Sequence, residues 1–252
     1  MIIRVQSGYE SILDAIGLAS ADSVFSHLQI KVWRSIPERE NATLDATLKD
    51  GRSIRLHIKR YRQSAPARNE AAGIAFLNKY SIPTVSLVAH GQTRDGRSFI
   101  ITEDLQGYEP ADKLIEKGLA FEAISRSVAE LSAHLHNAGL HHHDLYLCHF
   151  FVRRDPLDVR LIDAARVKRL PGWPFRNRWI VKDLSQLWYS LMQLKLSERE
   201  RLGVLEHYAK GRHLDDYTQL KKKIEAKAKR IARHDRNLNR KQPTRNISIP
   251  VG

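Results

Sequence analysis

The hydrophobic pattern changes period several times along the chain. Tyr9, Ile12, Leu13 and Ile16 recur at spacings of three and four and predict a short helix over 8–18. Over 28–33 the pattern becomes alternating, with Leu28, Ile30 and Val32 on one face of a strand. Asp50-Gly51 is a hairpin turn signal between strands at 41–48 and 53–61. In the second of these, Ile54, Leu56 and Ile58 share one face, while Arg55, His57 and Lys59 share the other. A three-stranded antiparallel opening is expected. Residues 66–80 return to the helical period, with Ala71, Ile74, Ala75 and Leu77 as the apolar face, Glu70 in the first turns and Pro83 as the stop. Two further apolar runs, 84–89 and 98–101, flank the turn Arg94-Asp95-Gly96. Strands followed by a helix and more strands make an α+β lobe of about the first hundred residues, and 103–107 is a short connector.

The second half is mostly helical. Phe121, Ile124, Val128, Leu131 and Leu135 fall on one helical face, and Gly139 is a C-terminal stop. The stretch 141–163, HHHDLYLCHFFVRRDPLDVRLID, then places Asp144 after three histidines, followed by an apolar strand, the turn Asp155-Pro156-Leu157-Asp158 and a second apolar strand ending on Asp163. A hairpin there brings Asp144 near Asp163. Two converging carboxylates suit a metal–phosphate site, one as proton acceptor and one as metal ligand; two ordinary strand-end carboxylates leave the same pattern. Residues 164–179 contain two prolines and no periodicity. Leu184, Leu187, Trp188, Leu191 and Leu194 predict another helix. Tyr217, Leu220, Ile224, Ala228 and Ile231 predict a last one, with Gln242 onward as a loose end.

Composition narrows the classes. At 252 residues and 42% hydrophobic, the chain can bury a core in one large domain or two lobes. Its single cysteine, Cys148, excludes an internal disulfide and points to a reducing compartment. The first ten residues hold no secretory apolar run, and no window approaches a membrane span of about 18 apolar residues. Of the formal charge of +14, residues 221–245 contribute eleven Lys or Arg against Glu225 and Asp235. That basic helix reads as a solvated face, as a nucleic-acid surface or as a membrane-surface patch. Nucleic acid is disfavoured, because no aromatic is interleaved with the lysines after Tyr217.

The chemistry-bearing residues follow one order. Lys59 sits on a strand and Glu70 eleven positions on, in the next helix. A strand lysine paired with a helix glutamate would hold its ammonium against a polyphosphate; a lone strand-end lysine is otherwise usually solvated. Strand lysine, helix glutamate, His-x-Asp loop and strand-end aspartate is the order of the protein-kinase-like fold.

Ala138-Gly139-x-x-His142-x-Asp144-x-Tyr146-x-Cys148-His149-Phe150 resembles the signature of the lipopolysaccharide core kinases, the heptose and Kdo kinases. Asp50-Gly51, the run 98–103, Arg178-Trp179 and Lys182-Asp183-Leu184 extend the resemblance over about 30–235. It implies an α+β, two-lobed protein-kinase-like fold. The expected lobes are 1–105, a small antiparallel-sheet lobe with one main helix, and 106–252, larger, mostly helical and ending in the basic helix. The implied cofactors are ATP and magnesium. Lys59 would contact the α- and β-phosphates, oriented by Glu70; Glu103, Asp104 and Leu105 would form the adenine hinge. Asp144 would accept the proton of the attacking sugar hydroxyl, Asp163 would hold magnesium, and His149 stands where protein kinases have a metal-binding asparagine. Asp183 would brace the catalytic loop.

Departures accompany the resemblance. Asp163-Ala164-Ala165 replaces Asp-Phe-Gly, and of the core kinases' Asp-Leu-His-Arg only Asp163 and Arg166 match. His143 replaces the arginine of His-Arg-Asp, and the candidate phosphate cover, 34–41, has no glycine. His57 reads equally as a residue near the nucleotide or as a partly exposed strand histidine. Imidazole is a less usual magnesium ligand than oxygen, so His149 ranks below the aspartates. The histidine cluster is not read as zinc, since His134 and His136 face different sides of their helix. Cys148 reads as a buried, inert thiol.

The expected function is ATP-dependent phosphorylation of a heptose or Kdo hydroxyl on a lipid-linked core oligosaccharide. The expected place is the cytoplasmic face of the bacterial inner membrane, with the basic helix on its anionic surface. A kinase of proteins or soluble metabolites, and a non-catalytic kinase-like module binding RNA, are the alternatives. The short 164–180 segment, without Ala-Pro-Glu, argues against a peptide groove.

Overall fold

A computed structural model describes residues 2–48 and 50–242. They divide into two compact units, 2–75 with 85–106 and 76–84 with 107–242. The first unit contains β1 (Ile2–Val5), α1 (Glu10–Ala15), α2 (Ser23–Ser26), β2 (Lys31–Ile36), β3 (Arg39–Thr47), β4 (Ser53–Tyr61), most of α3 (Ala65–Lys79), β5 (Leu87–Gln92) and β6 (Ser98–Glu103). Its strands form one six-stranded sheet in the order β1-β5-β6-β4-β3-β2. The three-stranded opening is thus half of a larger sheet. β4 lies inside that sheet, paired antiparallel with both β3 and β6.

The core of this unit explains the register. Leu44, Leu56, Ile58, Val88, Phe99 and Ile101 are buried on one face, where Leu13, Leu18 and Val24 close over them. Shifting β4 by one residue would bury Arg55, His57 and Lys59 instead. Gly91 is required where β1 meets β5, because a Cβ there would lie 2.3 Å from the Ile2 carbonyl oxygen. Two details correct the sequence pattern. Leu28 is 98% exposed in a turn, and the second strand starts only at Lys31, so Ile30 and Val32 pack on the core without it. In α3 the buried stripe is Ala67, Glu70, Ala71, Ile74 and Leu77, while Ala75 faces solvent.

The second unit contains β7 (Glu109–Pro110), α4 (Ala111–Glu116), α5 (Glu122–Asn137), β8 (Leu140–His141), β9 (Phe150–Arg153), β10 (Asp158–Leu161), β11 (Lys168–Arg169), α6 (Arg176–Gln193), α7 (Glu198–Gly211) and α8 (Thr218–Lys241). β9 and β10 form the expected hairpin, with the turn at 154–157 and Asp158 already in the strand. Gly139, at φ +71, turns the chain out of α5 into β8. Residues 164–179 are more regular than the sequence pattern suggests. A 3-10 turn at Ala164–Arg166 leads into β11, which pairs with β8, and α6 begins at Arg176. Ser197 opens α7 with a capping box to Glu200. α8 packs on α6 through Ile224, Ala228 and Ala232, and Tyr189 donates a 2.7 Å hydrogen bond to Asp235. The loose end predicted from Gln242 onward lies, beyond Gln242 itself, outside the described residues. No helix among the described residues is long and apolar enough to cross a membrane.

Candidate active site

Strand alternation and helix pitch place the first unit's candidate residues. Lys59 points away from the buried face of β4, and its Nζ donates to Glu70 Oε1 at 2.6 Å. Glu70 is only 3% exposed, so its charge needs donors. Tyr61, two residues after Lys59 and hence on the same face, supplies the second one, its hydroxyl donating to Glu70 Oε2 at 2.7 Å. Burial, and then the Glu70 charge, push the Tyr61 phenol up. Asn41 stands directly opposite Lys59 on β3; it is buried, and its Oδ1 has no hydrogen-bond partner among the described residues. The glycine-free cover is the β2–β3 hairpin, turning at Pro37-Glu38.

The connector is held by its own backbone. Glu103 N donates to Ser86 O and Asp104 N to Arg55 O, each at 3.0 Å. His57 Nε2 lies 2.6 Å from Asp104 Oδ1, which gives His57 a partner in the connector. Tyr9 engages Glu103: burial first, then that carboxylate, push its phenol up to about 12. Leu105 is half-buried.

In the second unit α6 organises the loop that carries Asp144. Asp183, fully buried, accepts His142 N at 2.6 Å and His143 N at 2.9 Å. Burial opposes its charge, but His136, 3.4 Å away, and the His142 N–H hold it below the usual carboxylate range. One turn on, Gln186 Oε1 accepts Leu145 N, and its amide donates to His143 O and to Asp144 Oδ1 at 3.4 Å. One further turn on, Ser190 Oγ accepts Leu147 N. His143 sits at φ +70, a conformation its N–H bond to Asp183 helps to hold. Trp179 stacks on His141 at 4.9 Å and meets His143 edge-on at 4.8 Å. Burial lowers His141 to about 4, so it is neutral near pH 7.

The hairpin delivers the second carboxylate. His142 Nε2 donates to Ile162 O at 3.0 Å, and Ile162 N donates to His149 O at 2.9 Å. Thr84 and Pro83 bind Leu161 from the other side. Asp163 is therefore held from both directions, in a left-handed conformation at φ 60, ψ 57. Donor atoms of Asp144, His149 and Asp163 lie within 4.8 Å of one another. His149 donates from Nδ1 to Asp144 O at 2.7 Å and turns Nε2 to Asp163, 3.6 Å away. Burial works against the imidazolium, but Cys148 and Asp163 raise His149 to about 9. The Asp144 and Asp163 carboxylates offer the oxygen ligands that a magnesium ion takes, with the His149 ring beside them. Cys148 is half-buried in a 3-10 turn beside His149, not on a buried strand. A cavity of about 1050 Å³ between the start of α5 and α7, lined by Phe121, Ser125, Glu200 and His207, includes none of these residues.

Residues 50–208 match the lipopolysaccharide kinase (Kdo/WaaP) family. The chain belongs to that family. Among Kdo/WaaP relatives, the lipopolysaccharide core heptose(I) kinase WaaP of Pseudomonas aeruginosa is 32% identical, over 56% of this chain and 59% of that protein. WaaP of Escherichia coli K12 is 34% identical over 41% of this chain and 43% of that one, and another Escherichia coli WaaP is 29% identical over 75% and 76%. The first two matches thus span less than two thirds of those relatives. A solved structure titled "WaaP in complex with acyl carrier protein" superposes with a TM-score of 0.70 at 26% identity, covering 91% of this chain and 99% of that one. An aminoglycoside-3'-phosphotransferase of type VIII, at 14% identity and a TM-score of 0.59, shares the fold, covering 81% of this chain and 96% of its own. The α+β, protein-kinase-like architecture expected of a Kdo/WaaP chain is the one observed.

Sequence reasoning alone missed Tyr61, Gln186 and Ser190. A signal existed for the last two. They lie three and seven residues after Asp183, so three polar groups share a face of a helix otherwise rich in buried Leu184, Leu187 and Leu191.

Proposed function

We propose that this chain is an ATP-dependent kinase that phosphorylates a sugar hydroxyl, heptose or Kdo, of the lipopolysaccharide inner core. The observation that supports it best is the meeting of Asp144, His149 and Asp163 within 4.8 Å, in a chain of the Kdo/WaaP family. In this reading the first unit binds ATP and the second carries the catalytic and acceptor-binding groups. Lys59, aimed by Glu70, aligns the α- and β-phosphates. Backbone groups of Glu103, Asp104 and Leu105 serve adenine. Asp163, with His149 beside it, would hold a magnesium ion, which when bound supplies neutralisation of phosphate charge. Asp144, oriented by the Gln186 amide, takes the proton of the attacking hydroxyl as it displaces ADP in line.

The acceptor is lipid-linked in this reading, and the enzyme works at the cytoplasmic face of the inner membrane. Exposed Lys222, Lys223, Lys229, Arg230 and Arg233 on α8 support attraction to an anionic leaflet. The complex of the solved relative with acyl carrier protein makes such a carrier a second partner to test. The test is incubation with γ-labelled ATP and a panel of lipid-linked core acceptors, read by mass spectrometry. A phosphorylated heptose or Kdo is the expected product. Label on protein or a soluble metabolite, or none beside tight RNA binding, would replace the reading.

A further inference from the structure

We infer that the loop joining β11 to α6 is a membrane wedge, in which Trp173 and Phe175 enter the lipid interface while the flanking arginines and lysines bind anionic headgroups. The inference rests on the membrane-surface reading above and names the surface that acts. Trp173 is 91% exposed and Phe175 60%, two residues apart in a run, 172–178, that is exposed throughout. Single exposed apolar side chains are ordinary, but two large rings on one exposed loop form a patch of the kind that marks contact surfaces.

The charge around them is of one sign. Residues 164–182 contain six Lys or Arg and no Asp or Glu. Five of the six, Arg166, Lys168, Arg169, Arg176 and Arg178, are exposed. Aromatic tips between cations match the layered chemistry of a bilayer surface, where indole and phenyl rings sit at headgroup depth and guanidinium groups meet phosphate. Two rings bury only about 300–500 Å². That falls short of the roughly 1,000 Å² a stable protein interface needs, but suffices for shallow insertion added to electrostatic attraction.

Both ends of the loop are tied to the segment that carries Asp144. Lys168 and Arg169 pair with His141 and Leu140, and Leu170 N donates to Gly139 O at 2.7 Å. On the far side, Trp179 stacks on His141, and Asp183 holds the His142 and His143 N–H groups. A wedge seated in the interface therefore fixes the height of the catalytic loop above the lipid. That is what an enzyme needs when its reacting hydroxyl stands a fixed distance from the bilayer.

The experiment uses the full chain and vesicles of phosphatidylethanolamine and phosphatidylglycerol. Three proteins are floated: wild type, Trp173→Ser/Phe175→Ser, and an α8 variant with Lys222, Lys223, Lys229 and Arg230 changed to Gln. The double variant should lose vesicle affinity roughly tenfold or more while its melting temperature and turnover of a deacylated, soluble acceptor stay at wild-type values. Brominated lipid should quench wild-type tryptophan fluorescence, and Trp173→Phe, which keeps an aromatic wedge, should remove most of that quenching while still binding. If the double variant floats like wild type while the α8 variant does not, the wedge is wrong and the membrane reading survives. If wild type does not float, both fall. Loss of binding to acyl carrier protein by the double variant, with vesicle binding unchanged, would also overturn the wedge.

Discussion

Asp183→Asn tests how the catalytic loop is held. The carboxylate is fully buried and receives two backbone N–H groups, at 2.6 and 2.9 Å, with His136 at 3.4 Å. Asparagine fits the same space but keeps one acceptor oxygen and turns an NH₂ toward the other donor. One buried N–H then loses its acceptor, at a cost of about 1–3 kcal/mol. The surviving bond falls from charge-assisted to neutral strength, about 1 kcal/mol more. The expected loss is ~2–4 kcal/mol, a large share of the ~5–15 kcal/mol typical of a domain. Urea unfolding should show it as a lower midpoint with an unchanged slope. The two N–H groups belong to residues just before Asp144, so kcat should fall further than stability implies. A displacement of the base near 1 Å costs on the order of 10²-fold. ATP affinity should be kept. A stability loss under about 1 kcal/mol with an undiminished kcat would refute the reasoning.

Asp144→Asn should lower kcat by about 10²–10⁴-fold with little change in ATP affinity, measured by steady-state kinetics and nucleotide titration. Lys59→Met should weaken productive ATP binding and Glu70→Gln should do so more mildly; a double-mutant cycle should show the pair acting as a unit, and additive losses would show otherwise. His149 is raised from 6.5 to about 9 in the folded protein, so it contributes stability that is complete below about pH 6.5 and is lost as pH climbs through about 9. Chemical unfolding of the metal-free protein across that window should show the decline, and His149→Gln should flatten it.

β4 was legible to the residue, because strict alternation and the Asp50-Gly51 turn both mark it. α5 and the hairpin leading to Asp163 were legible for similar reasons: one long apolar stripe, and two runs around a proline turn. β1 was not, since four residues with a half-buried pattern become a strand only by pairing with β5. α7 carried a readable start signal in Ser197 and Glu200, but its apolar stripe is short. Lys59, Glu70, Asp144 and Asp163 could be picked by type and order, because their chemistry restricts the residue choice. Tyr61 acts by supplying one hydrogen bond to Glu70, and such support is defined by tertiary geometry rather than by local pattern; Gln186 shares the polar helix face of Asp183, but only the folded structure ties it to Asp144. Trp173 looked like part of an irregular linker until its exposure was visible.

Asp163→Asn offers the most direct measurement. Transfer of the γ-phosphoryl label from ATP to a lipid-linked inner-core acceptor, with magnesium titrated, should be compared between wild type and Asp163→Asn of intact fold. Wild type should give a phosphorylated sugar at a rate that rises with magnesium, and the variant should give none above background. Transfer by the variant at the wild-type rate and with the same magnesium dependence would contradict the account, as would a wild type that leaves every such acceptor unlabelled.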